Sequence, residues 1–117
     1  MSRRLLVAAA ADVLLVLVFA ATGRRSHAEG LTVAGVAVTA WPFLAGLAAG
    51  WTLARGWRRP TALRTGAAVW AATVVGAMVL RQLSGAGTAL PFVLVATLTL
   101  AVLLLGWRAL WHVARRP

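Results

Sequence analysis

Asp12 and Glu29 are the only carboxylate side chains in a chain of 117 residues that carries twelve arginines and no lysine. Asp12 is the sharper signal, because it interrupts the apolar run of residues 5–22. A charged acid near the centre of a bilayer costs about 2.5–3.5 kcal/mol on insertion scales. Such a residue is expected to face the interior of a helix bundle and to find a partner there. At 1.5 Å per helical residue it lies roughly 10 Å from the start of its run. Candidate partners at similar depth are Thr73, Thr99 and the indole N–H groups of Trp51 and Trp70. Arg64 and Arg108 are arginines that could reach up from the nearer edge. Two chemistries fit. One is a hydrogen bond or ion pair that fixes helix packing, the other is proton or ion handling by a titrating acid. The residues alone leave both open.

A second polar group lies between the first two apolar runs, in Gly23-Arg24-Arg25-Ser26-His27-Ala28-Glu29-Gly30. Arg24, Arg25, His27 and Glu29, with Arg81 from a later linker on the same side, form a candidate outer-loop cluster. His27 has the side chain that titrates near neutral pH, and two arginines can hold a phosphate or carboxylate bidentately. The plainer reading is a solvated hairpin with an Arg–Glu pair worth about 0–1 kcal/mol. His112 belongs to the opposite side and reads as an interfacial residue, so the two histidines are not expected to share a metal. There is no cysteine, which excludes disulfides and thiolate metal or redox sites. No nucleophile elbow, phosphate-binding glycine loop, HExxH or carboxylate dyad occurs. No enzyme activity, cofactor or metal is therefore expected.

The elements that must position these residues follow from composition. The chain is 62% hydrophobic and yet carries a net charge of +10, whereas roughly 45–50% apolar is usual for soluble domains. Four apolar stretches can be read, at about residues 5–22, 31–55, 64–83 and 88–110. A bilayer core needs about 20 helical residues, and backbone groups in lipid must be paired within the segment. Strand-like alternation is missing, which argues against a barrel. The expectation is an all-α integral membrane bundle of four transmembrane helices, one domain over residues 1–117, because the linkers leave no room for another. Ser2-Arg3-Arg4-Leu5 has the look of an export signal, but Asp12 breaks its apolar region, and the segment is expected to stay as the first span.

With four spans, nine of the twelve arginines fall on one side and Arg24, Arg25 and Arg81 on the other. The positive-inside rule then places both termini and the middle loop in the cytoplasm of a cytoplasmic (inner) membrane. Trp57, Trp107 and Trp111 beside those arginines read as belt residues, with Trp41 in the same part on the outer side. Anionic lipid headgroups at the cytoplasmic face are the expected partner. Nothing beyond charge points to nucleic acid.

Thr39-Ala40-Trp41-Pro42-Phe43 aligns with Thr88-Ala89-Leu90-Pro91-Phe92, and Gly56-Trp57-Arg58 with Gly106-Trp107-Arg108. The match admits two tandem helical hairpins, each with a threonine cap followed by a proline in the first turn. The second helix then begins either at Thr39 or near Leu31 with a bend at Pro42, and the longer helix is favoured. Gly46, Gly50, Pro42 and Pro91 are the candidate packing residues. Gly46-Leu47-Ala48-Ala49-Gly50 is a small-xxx-small pattern that lets another helix come close, in the same chain or in a second copy, so a homo-oligomer stays open.

Asp12 with Phe19, Gly23-Arg24-Arg25-Ser26-His27, Thr39-Ala40-Trp41-Pro42-Phe43, Gly46, Gly50-Trp51, Gly66, Trp70, Gly76, Arg81, Gly87-Thr88 and Phe92 together carry a resemblance. The chain resembles a family of small prokaryotic membrane proteins known only as a domain of unknown function. That resemblance runs from about residue 5 to residue 110 and implies four membrane helices with no assigned activity. The chain is also similar, in size and layout, to small multidrug resistance transporters, which use one membrane-embedded carboxylate on the first helix for proton-coupled export. Theirs is a glutamate, and the strong arginine bias here predicts one fixed orientation. The reading is a structural or accessory membrane protein, with a small oligomeric proton-coupled transporter using Asp12 as the alternative.

Overall fold

The computed structural model describes residues 2–25 and 31–116, with the side chains of Arg24 and Arg25 excepted. Four helices account for nearly all of it: α1 (Arg3–Arg25), α2 (Val33–Leu53), α3 (Leu63–Leu83) and α4 (Leu90–Ala114). All four are long and apolar enough to cross a membrane. The molecule is a multi-pass membrane bundle with principal extents of 47 × 26 × 25 Å. Each helix packs on two neighbours in the cyclic order α1, α2, α3, α4, as short connections between antiparallel helices dictate.

The helix starts correct one expectation. α2 begins at Val33, and its cap is Thr32, whose hydroxyl accepts the Gly35 N–H at 2.9 Å. Thr39 lies inside the helix and donates back to Gly35 O. Thr88 does not cap α4 either, because its hydroxyl donates to Gln82 Oε1. Pro42 is within α2, whereas Pro91 sits in the first turn of α4. Gly56-Trp57-Arg58 lies in the turn after α2, and Gly106-Trp107-Arg108 lies within α4. The aligned segments thus occupy unlike places, and the shared helix start read from them is not present.

The α2 and α3 ends use the same device. After α2, Gly56 N–H bonds Trp51 O and Arg55 N–H bonds Thr52 O. After α3, Ala86 N–H bonds Arg81 O and Gly85 N–H bonds Gln82 O. Both are Schellman motifs, which need a left-handed residue just past the cap. Gly85 fills it at φ +82°, but after α2 it is Arg55 at φ 50°, where a Cβ costs roughly 1–2 kcal/mol.

The α2–α3 contact is the tightest. A Cβ on Gly46 would come 2.7 Å from Thr73 O, and one on Gly76 would come 3.0 Å from Gly46 Cα. A Cβ on Gly50 would meet the Val69 backbone at 3.0 Å. The small-residue face is therefore used inside the chain. Phe19, Phe43 and Phe92 form an edge-to-face row with centroids 5.1 and 6.2 Å apart, joined by Val16, Leu47, Val69, Leu100 and Leu104. The outer surface is apolar as well: Leu14, Leu98 and Val102 are 59%, 66% and 70% exposed, as a lipid-facing surface requires.

Candidate functional site

Two rows of side chains, each with i, i+4 spacing, aim the site inward. On α1, Ala8, Asp12, Val16 and Ala20 are all buried. On α4, Ala96, Leu100, Leu104 and Arg108 are buried in the same way. One polar residue stands in each apolar row, and the two meet. Arg108 Nη1 donates to Asp12 Oδ1 at 2.9 Å, and Arg108 Nη2 donates to Asp12 Oδ2 at 2.8 Å. Both side chains have no solvent-accessible surface.

The carboxylate takes two further donors. Trp51 Nε1 on α2 donates to Asp12 Oδ2 at 2.9 Å, and Trp107 Nε1 on α4 donates to Asp12 Oδ1 at 2.8 Å. Each carboxylate oxygen has two lone-pair positions, so all four acceptor positions are filled, and by groups that only donate. The guanidinium is committed through four of its five N–H groups. Arg108 Nη1 also donates to Leu104 O at 2.9 Å, and Nε donates to Pro60 O at 3.0 Å. One turn on, His112 Nε2–H donates to Thr61 O at 2.9 Å. A single face of α4 therefore grips α1 through the ion pair and the α2–α3 loop through two carbonyls.

Glycines make the room. A Cβ on Gly66 of α3 would come within 2.7 Å of Arg108 Cδ. Gly56 lies against the ring of Trp51, where any side chain would collide. All four elements thus shape the hub: α1 supplies the acid, α2 and α4 supply indoles, α4 supplies the cation, and α3 supplies the gap. Among the described residues, no buried side-chain nitrogen or oxygen lacks a partner.

Of the candidate partners, Trp51 and Arg108 reach Asp12 and the others do not. Thr73 donates to Val69 O on its own helix, Trp70 Nε1 donates to Thr97 O across α3 and α4, and Thr99 makes no bond to the acid. Arg64 is exposed. Trp107, read as a belt residue, is instead a ligand of the carboxylate, and Arg108 belongs to the interior rather than to the rim. His112 pins a loop. Gly46, Gly50 and Pro42 are buried on α2, whereas Pro91 is exposed and only starts α4.

The outer-loop cluster is not assembled in what is described. His27 and Glu29 lie outside the described residues, and Arg24 and Arg25 close α1 with side chains that are likewise outside. Arg81 turns to its own helix end, donating from Nε to Gly87 O at 3.0 Å and from Nη2 to Ala86 O at 3.2 Å. Its guanidinium lies 4.2 Å over the Phe92 ring. Among the described residues no three metal-ligating side chains come together.

Comparison with curated proteins and with solved structures gave no match. A family model matches residues 9–111, which include Asp12, Trp51, Trp107 and Arg108. The chain belongs to the family described as protein of unknown function DUF3054.

Proposed function

We propose that the chain is a structural or accessory protein of the cytoplasmic membrane, without enzymatic activity, with both termini and the α2–α3 loop on the cytoplasmic side. The observation that carries this reading is the saturation of Asp12 by four N–H donors. A carboxylate that exchanges protons needs an open lone pair or an acceptor-capable neighbour on its path. This one is bounded by a guanidinium and two indoles, none of which can accept a proton at working pH. A buried, bidentate Arg–Asp pair whose acid has every acceptor position filled supports a role in keeping the helices in register. The orientation rests on the arginine bias, which remains strong after Arg108 is taken out of the rim.

The test is a comparison of Asp12→Asn with the double variant Asp12→Leu/Arg108→Met. A packing role predicts that the single change lowers thermal stability and yield, while the double change recovers most of both. Proton-linked flux in vesicles made with wild-type protein, lost in Asp12→Asn while assembly stays intact, would replace this reading with a transporter.

A further inference from the structure

At the arginine-rich end of the bundle lies a cavity of about 300 Å³. Arg4 of α1, Arg58 and Arg59 of the α2–α3 loop, Trp57, Thr61 and His112 are among its lining residues. The three guanidiniums make no hydrogen bond and no ion pair with any described residue. Among the described residues the one carboxylate side chain is Asp12, and every acceptor position on it is taken.

The walls favour an anion in two further ways. The carbonyls of Pro60 and Thr61, which would repel one, are engaged by Arg108 and His112 of α4. α3 begins beside the cavity, with Ala62 as its cap and no side-chain bond to its first N–H groups, so the partial positive charge of a helix start lies near it. Trp57, 52% exposed, is of the type that sits at headgroup level.

We infer that this cavity is a seat for one phosphate group, supplied by an anionic phospholipid headgroup or by a free phosphate ion. Guanidinium forks match phosphate oxygens bidentately, and a membrane surface presents that chemistry at the level where the cavity opens. The inference goes beyond the structural reading of Asp12 and does not depend on it, since no residue of the hub supplies a charge here.

Native mass spectrometry of the detergent-solubilised protein tests it, with phosphatidylglycerol, phosphatidylcholine and inorganic phosphate as probes. Arg58→Gln/Arg59→Gln is expected to weaken phosphatidylglycerol retention about tenfold or more. The control Arg115→Gln/Arg116→Gln removes as much charge from the same end without touching the cavity, and should weaken it far less. Arg4→Gln, on a different element, repeats the test should the loop variant fail to fold. Competition by millimolar phosphate assigns the seat to the free ion, and retention of the lipid in its presence assigns it to the headgroup. Equal loss in the cavity and control variants, or equal binding of phosphatidylcholine, overturns the proposal.

Discussion

At the scale of single residues, Asp12 and Arg108 show how far burial changes the meaning of a charge. Removing one member of a buried pair typically costs about 3–5 kcal/mol, because the other charge is left without compensation, whereas replacing both with apolar groups is often neutral. Asp12→Asn should therefore lose most of the thermal stability in detergent, and the apolar double variant should regain it. Trp107 is the finer probe. Trp107→Phe keeps an aromatic ring, though a smaller one, and removes one donor to a charged acceptor, and should cost about 1.5–3 kcal/mol or more in a denaturation experiment. Thr73→Val, at similar depth but without a bond to Asp12, should leave the hub intact. Asp12 was legible from the sequence as a buried acid with a partner, and Trp51 and Arg108 stood among its candidates. Trp107 was not legible, because an indole beside arginines also suits a membrane interface. The available signal was the i, i+4 row Ala96, Leu100, Leu104, Arg108, which places the arginine on the buried stripe of α4 rather than on its rim.

At the scale of elements, the spans were legible because a bilayer imposes their length and apolarity. Their ends were less so. Thr39 and Thr88 carry the residue type of a helix cap, yet both hydroxyls bond elsewhere, so type and neighbouring proline were insufficient. α4 runs on to Ala114, past Arg108, whose charge is met within the bundle. The glycines separate by what faces them. Gly46→Ala drives a Cβ into the Thr73 backbone, which cannot yield as a side chain can, and should cost about 1–3 kcal/mol. Gly106 has nothing within 4 Å of its would-be Cβ, so Gly106→Ala should be neutral or stabilise by about 1 kcal/mol through helix propensity. Parallel thermal melts of the two variants in detergent check the contrast.

At the scale of the whole molecule, the charge of +10 divides into two kinds. Arg108 is buried and paired within the bundle, and most of the others lie at the ends of the helices, where the proposed orientation and the proposed phosphate seat draw on them. Whole-chain composition was enough to exclude a soluble fold, but it could not separate these kinds, because position along a span says nothing about which way a side chain turns. Reporter fusions check the orientation: a cytoplasm-active reporter should work at both termini, and a periplasm-active one should work between α1 and α2. A periplasm-active reporter that works at the C-terminus would reverse it.

The closure of α1 by α4 also has a temporal side. Asp12 and Arg108 are 96 residues apart, so a ribosome adding about 5–20 residues per second delivers the cation roughly 5–20 s after the acid. For that interval the nascent chain holds up to three helices around an uncompensated carboxylate, and only arrival of the last helix neutralises it. Arg108 is thus the last charged partner that the buried acid acquires. Chains truncated just before residue 108 should be degraded markedly faster in a pulse-chase experiment than chains truncated just after residue 112. Equal half-lives would show that the membrane tolerates the waiting acid.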